Sequence, residues 1–228
     1  MDLRINWKKI LGADLKGAVQ GGALGAAAGA AIGGVSAGFG AGLGALLYGA
    51  GASIEAAGSL ANPKPIVIMP NSNNPFDHIG YDHYNCLNSA IQNSNNYLNN
   101  GVFSTSLYYN FCKNYTIVNN VYNLNEFPYF TLANFELNFN YLKNNENKTI
   151  LEFVLFLHDN GKISDSVFNY LYPYFQCYSY STNIEDFVTY SISAENLVVN
   201  SNLSSIDKQL VLEMMSTARY GIQYWGIE

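Results

Sequence analysis

The run GAVQGGALGAAAGAAIGG, residues 17–34, continued by VSAGFGAGLGALLYGAGASI, residues 35–54, decides how the rest of the chain is read. It holds no charged residue and consists almost wholly of Gly, Ala and a few larger apolar side chains. Gly17, Gly21, Gly25, Gly29 and Gly33 recur at every fourth position; Gly34, Gly38 and Gly42 form a second series, Gly40 and Gly44 a third. Residues four apart share one face of a helix. The spacing therefore predicts a glycine zipper, a bare groove that lets two backbones approach closely, as small-xxx-small helices do in lipid. In water the same composition makes a poor helix, because each Gly costs about 1 kcal/mol relative to Ala.

Other uses of glycine fit less well. Flexible linkers are polar and rich in Ser, Thr or Pro, whereas this run has Gln20, Ser36 and Ser53 and no Pro. Collagen needs Gly at every third position. The segment Gly38-Phe39-Gly40-Ala41-Gly42 superficially matches a dinucleotide loop, which requires a preceding strand and a later acidic partner; no strand-like run precedes it. About 20 residues cross a bilayer, so residues 17–34 and 35–58 read as two short spans joined by a tight turn at residues 33–36. Insertion is marginal, since Gly and Ala add little transfer free energy. A hairpin buried in a soluble helical core is the alternative. Glu55, near the end of the second helix, is expected at the interface or against a partner.

Upstream, Leu3, Trp7, Ile10 and Leu11 make an apolar stripe beside Arg4, Lys8 and Lys9, so residues 1–16 read as a basic amphipathic helix. Such a helix lies in a headgroup layer; Trp7, Lys8, Lys9 and Lys16 are its expected interface residues and keep this end cytoplasmic. A terminal helix packed on the protein's own core fits the same pattern. No ordinary signal peptide fits. Gly21-Gly22 leaves export through a double-glycine leader as an alternative to a bacterial membrane-associated location.

Downstream, residues 62–76 read as a Pro/Asn linker, and residues 77–228 as an all-α globular domain. One helix is expected from Asp77 to Leu98, with Ile79, Tyr84, Leu87, Ile91 and Leu98 inward. Others are expected over residues 102–118, 130–142 and 149–157. Ser164 caps the next, and helices over 183–199 and 205–225 close the chain. Residues 119–128 read as a loop. The predicted fold class is all-α: a glycine-zipper hairpin followed by a multi-helix bundle.

The net charge of −6 hides an asymmetry, since residues 1–64 are basic and the remainder acidic. That balance favours anionic lipid for the head and argues against nucleic acid as a partner of the body. Cys86, Cys112 and Cys177 lack metal-ligand spacing and read as free thiols. The densest set of ligand-type side chains is Asp77-His78-Ile79-Gly80-Tyr81-Asp82-His83. His78 and Asp82 share a helix face and His83 is rotated away, which falls short of the three convergent ligands a metal needs. Asp77 is expected to cap this helix and His83 to bond within the bundle. The loop from His158 to Asp165 has Phe156 and Val167 where a calcium loop needs acidic ligands, so it reads as a helix–turn–helix joint. No nucleophile elbow, zinc-protease helix or phosphate loop is present. No catalytic residue and no cofactor is assigned.

Asn74-Pro75-Phe76-Asp77 with Gly80 and His83, and Ala218-Arg219-Tyr220 with Tyr224-Trp225, resemble a group of uncharacterised bacterial helical proteins. That group opens its body with N-P-x-D-x-x-G-x-x-H and ends it with an A-R-Y…Y-W helix. The segment from Trp7 to Ala18 is similar to glycine-rich, bacteriocin-like starts. The resemblance implies an all-α body and carries no catalytic role. The resulting expectation is a non-enzymatic, membrane-associated or membrane-inserting protein, toxin-like or a subunit of a membrane assembly. Its partners would be membrane lipid and further copies of itself or a larger assembly. The rival is a soluble binding or enzymatic bundle with a buried hairpin and a site near His78, Asp82 and His83.

Overall fold

In the computed structural model, the described residues are 7–30, 36–57, 68–93, 96–99, 102–119, 130–181 and 183–225. They form an all-α bundle. Helix α1 spans Trp7–Ala30 and α2 Ser36–Ala57, the two arms of the glycine-rich hairpin. Then come α3 (Asp77–Gln92), the two-residue strands β1 (Leu98–Asn99) and β2 (Val102–Phe103), α4 (Thr105–Val118) and α5 (Leu132–Asn144). Helices α6 (Ile150–Asp159), α7 (Asp165–Tyr180), α8 (Ile184–Val199) and α9 (Ser205–Trp225) complete the described chain.

Most helices of the body begin where a short polar side chain can satisfy an orphan backbone N–H. Ser104, Thr131, Thr149, Ser164 and Asn183 each accept from the first turn of the helix they precede. Thr149 and Glu152 form a reciprocal capping box. Gly161 takes φ +63° after α6, the left-handed conformation that ends a helix without Cβ strain.

Several expectations change, among them the helix expected from residue 102, which begins at Thr105 after Val102 and Phe103 have formed β2. The boundary between residues 16 and 17 falls inside one continuous helix, because nothing between the basic start and the glycine series interrupts backbone bonding. The helix expected to reach Leu98 stops at Gln92, and Leu98 instead pairs with Phe103 in an antiparallel ribbon. Tyr97 accounts for that stop, burying its ring fully while its hydroxyl donates to Ala90 O. Finally, among the described residues no helix is long and apolar enough to cross a membrane. Of the turn expected at residues 33–36, residues 33–35 lie outside the described residues, as do residues 120–128 of the loop expected over 119–128.

The hairpin sits inside the bundle. From Asp14 to Ala23 on α1 and from Ala41 to Ile54 on α2 every residue is buried. Helix α1 packs on α5, α6 and α9, and α2 on α3, α5 and α9. The arms touch each other through bare backbone. A Cβ at Gly21 would collide with the carbonyl of Gly44, one at Gly44 with the carbonyl of Gly21, and one at Gly17 with the backbone of Tyr48 and Gly49. Thus Gly17 and Gly21 both lie close against the backbone of α2, Gly21 at Gly44 and Gly17 at Tyr48 and Gly49. Gly25 is half-buried and Gly42 buried; the surroundings of Gly29, Gly33, Gly34 and Gly38 lie outside the described side chains.

Helix α9 is the other axis of the body: each residue from Leu210 to Trp225 is buried, against α1, α2, α3, α7 and α8. An aromatic cluster from α4 and α5 covers the far side of the hairpin, with Tyr48 stacked on Phe135 at 4.7 Å. Gly12, by contrast, is open: a methyl group added there would find nothing within 4 Å. Gly12 and Gly21 therefore predict opposite outcomes in urea or thermal unfolding. Gly12→Ala should stabilise by about 0.5–1 kcal/mol through helix propensity. Gly21→Ala should destabilise by at least the ~1–3 kcal/mol of an overpacked core, since backbone must move.

Candidate functional site

Two buried polar clusters join the hairpin, α3 and α9. The first is centred on His83. Its ring is fully buried, with Nδ1 3.1 Å from the carbonyl of Leu46 and Nε2 3.0 Å from Asp14 Oδ1. Asp14 lies on α1 and is 1% exposed, so three helices meet at this pair. A carbonyl and a carboxylate face the two ring nitrogens. Room for the pair comes from two glycines. A Cβ at Gly49 would stand 3.0 Å from His83 Cε1 and 3.2 Å from Asp14 Oδ1, and one at Gly221 would strike Asp14 Oδ2.

The second cluster is centred on Arg219 of α9, whose side chain is fully buried. Its Nε donates to Glu195 Oε1 at 2.7 Å and its Nη2 to Glu195 Oε2 at 3.2 Å, a two-pronged pair with a carboxylate of α8. Nη2 also meets Asp77 Oδ1, and Nη1 donates to the carbonyl of Met69. Asn71 and Asn74 donate to Glu195 Oε2 at 3.1 and 2.9 Å. Tyr220 donates to Asp77 Oδ2 at 2.9 Å. Burial works against the guanidinium charge, and the carboxylates of Glu195 and Asp77 more than offset it, so the group is held above its ordinary range.

Asp77 was expected to cap α3; Phe76 stands at the cap position without a side-chain bond, and Asp77 is committed to Arg219 and Tyr220. Gly80 allows α3 to lie on α9, for a Cβ there would meet Ser216 and Tyr220. Asp77 and Gly80 of the N-P-x-D-x-x-G-x-x-H opening thus meet Arg219 and Tyr220 at the seam between α3 and α9, while Asn74 reaches Glu195 of α8 and His83 faces α1 and α2. They hold helices together.

His78, Asp82 and His83 are not brought together. His78 is exposed, Asp82 half-buried and His83 sealed, because the ring that follows Asp82 turns to the opposite face of α3. Burial raises the Asp82 carboxyl above its ordinary range, and His78 opposes that shift. Among the described residues no group of three His, Cys, Asp or Glu side chains could hold a metal. Cys86 and Cys112 are buried free thiols that burial pushes well up, and Cys177 is free and half-buried.

Lys16, expected at a membrane interface, is 7% exposed and donates to the carbonyls of Glu146 and Lys148 at 2.7 and 3.2 Å. It follows Asp14 and Leu15 on the buried stretch of α1, and its ammonium closes the α5–α6 connection. Glu55 pairs with Lys143 at 3.5 Å on the surface. The side chains of Trp7, Lys8 and Lys9 lie outside the described residues. Fold and clusters together define an all-α bundle with ionic joints, built around a glycine-packed hairpin. Comparison of the chain with protein-family models, with curated proteins and with solved structures finds no match.

Sequence reading missed Arg219 as a hub and Asp14 as a partner. The available signal was a charged residue inside an apolar pattern: Arg219 follows Met214, Met215 and Ala218, and Asp14 precedes the glycine run. Glu213 is a third instance, 1% exposed, bonded by Gln209 at 2.7 Å on one oxygen and unpartnered on the other among the described residues. Burial raises its carboxyl well above the ordinary 4.5.

Arg219→Met should destabilise by about 3–5 kcal/mol, because it strands Glu195 and Asp77 in the core; Arg219→Lys should cost less but lose the fork. Both are read by denaturant unfolding. For Glu213 the folded state holds a proton that the unfolded state releases above about pH 4.5. Stability should therefore fall as pH rises from there towards the raised folded value. Glu213→Gln should flatten that slope and be more stable than the parent at pH 7, as measured by melting across pH.

Proposed function

We propose that this chain is a non-enzymatic helical binding protein whose glycine-rich hairpin is the internal spine of its body. The observation that carries the reading is the set of polar side chains on α1. Asp14 meets His83, Lys16 meets the α5–α6 connection, and Gln20 Nε2 donates to Asn138 O at 3.1 Å. A helix destined for lipid gains nothing from such groups, whereas in a polar-jointed core each of these side chains makes at least one polar contact with another element. A binding role is favoured over chemistry because the Asp14–His83 pair, the arrangement closest to an acid–base dyad, is enclosed by four helices with no exposed atom of the ring.

A second reading keeps the hairpin as a membrane-contacting or self-associating element, with the body as its cover. The absence of charge from residue 17 to 54 favours it. In that case Gly17, Gly21 and Gly44 must leave one another before they meet lipid or another copy, and the Asp14–His83 pair must open.

Liposome flotation with phosphatidylethanolamine and phosphatidylglycerol, alongside sizing in detergent-free buffer, separates the two. The first reading expects a monomer that stays with the aqueous fraction, and a variant lacking residues 1–61 that has no cooperative unfolding transition. Flotation of the intact chain, or a truncated body that melts like the parent, would overturn it.

A further inference from the structure

Helices α3 and α4 leave a groove between them on the side away from the ionic joints. One section of about 520 Å³ is lined by Leu107, Phe111 and Val118 with amide groups around them, and an adjoining section of about 370 Å³ is mostly polar. Ser89, Tyr115 and Asn119 line both, so the two sections are continuous. Residues of α3 from Asp82 to Gln92 line the polar section with the end of α4, and Asn93 and Asn96 beyond α3 line the other with α4 from Leu107 to Asn119.

The lining is chemically narrow. Eight carboxamides reach the groove, from α3 and its C-terminal turn and from α4. Asn85, Asn88 and Gln92 follow one another at intervals of three and four residues and so share a face of α3. Asn110 and Asn114 do the same on α4. Asn93 and Asn119 each donate an amide N–H to a carbonyl of the preceding turn, at 2.7 and 2.8 Å, which pins the group and leaves its carbonyl end as an acceptor. Among the described residues no Lys or Arg lines either section, and Asp82 is the only carboxylate that does. The floor is aromatic: Phe111 and Tyr115 lie 6.0 Å apart, the first half-buried and the second 7% exposed.

We infer that this groove binds a neutral oligosaccharide. A carboxamide carries one acceptor and two donors, which matches the donor–acceptor pairs of adjacent sugar hydroxyls; Asn93 and Asn119 keep their carbonyl ends for this, while Gln92 already donates to Asn88 Oδ1 at 3.5 Å. Planar rings supply the apolar surface that the C–H face of a sugar ring covers. A site that combines an apolar floor with a few convergent polar groups is the ordinary form of a small-ligand pocket. A lining without cations argues against phosphate, sulfate and nucleic acid, which need Lys or Arg. An extended peptide would need pockets for alternate side chains or a sheet edge, and the polar section offers neither. The inference rests on the reading of the chain as a binding protein and gives that reading a ligand class.

The test is saturation-transfer NMR on the intact chain with maltotriose, cellotriose, mannotriose and chitotriose, each up to about 10 mM, a range that covers weak millimolar binding. At least one should show transfer, strongest at ring C–H protons. Asn88→Ala and Asn114→Ala, both at exposed positions, should weaken its binding about tenfold or more with unchanged melting. Absence of transfer from all four, or transfer that neither variant reduces, would overturn the assignment. A chain that stays monomeric and off liposomes while binding no sugar loses this inference and keeps the spine reading; one that floats loses the spine reading whatever the sugars do.

Discussion

The contact between Gly21 and Gly44 is the constraint from which the rest of the body follows. Two helices can bring their backbones this close only where neither has a Cβ at the crossing. The gain is dispersion contact along the whole crossing, many small terms that require near-touching atoms. The cost is that glycine-rich helices are weak on their own. They persist here because helices α3, α5, α6 and α9 surround the described arms and remove their backbone from water. Hairpin and body therefore stabilise each other.

Tight packing of featureless helices leaves rotation and register poorly determined, because one small residue resembles the next. The polar joints answer that. Asp14 can meet His83 at only one rotation of α1, and Leu46 O faces the same ring at one position of α2. Arg219, tied to Glu195, Asp77 and the carbonyl of Met69, fixes α9 against α8 and α3 in the same manner. Buried ion pairs of this kind add little net stability compared with apolar packing, but they make alternative arrangements unfavourable. Gly49, Gly80 and Gly221 belong to the same device, since each clears space for a joint or a crossing.

Much of the fold was legible in the sequence. The helical spacing of Phe135, Phe139 and Leu142, the caps at Thr149, Ser164 and Asn183, and the final helix from Ser205 to Trp225 all follow from local rules that the structure obeys. Local rules could not say where the hairpin goes. A groove of glycines offers itself equally to lipid, to another copy and to its own neighbour, and the partners of Asp14, Lys16 and Gln20 lie too far along the chain for local rules to find. Asp77 looked like a cap because caps are local, whereas its partner lies far along the chain at Arg219. The amide face of α3 was visible as periodic spacing, yet polar residues on a helix normally face only water. Its meaning depends on α4 lying beside it.

The placement of α9 has a consequence for how the molecule is made. Synthesis runs from α1 to α9, so the helix that lies at the centre of the finished body is the last of them to leave the ribosome. Until it arrives, Asp14 and His83 lack the Gly221 wall, Glu195 lacks its cation, and the inner sides of α1, α2 and α3 stand open to water or to one another. Closure thus waits for the last of the described helices, and until it is made the glycine-rich arms stay uncovered.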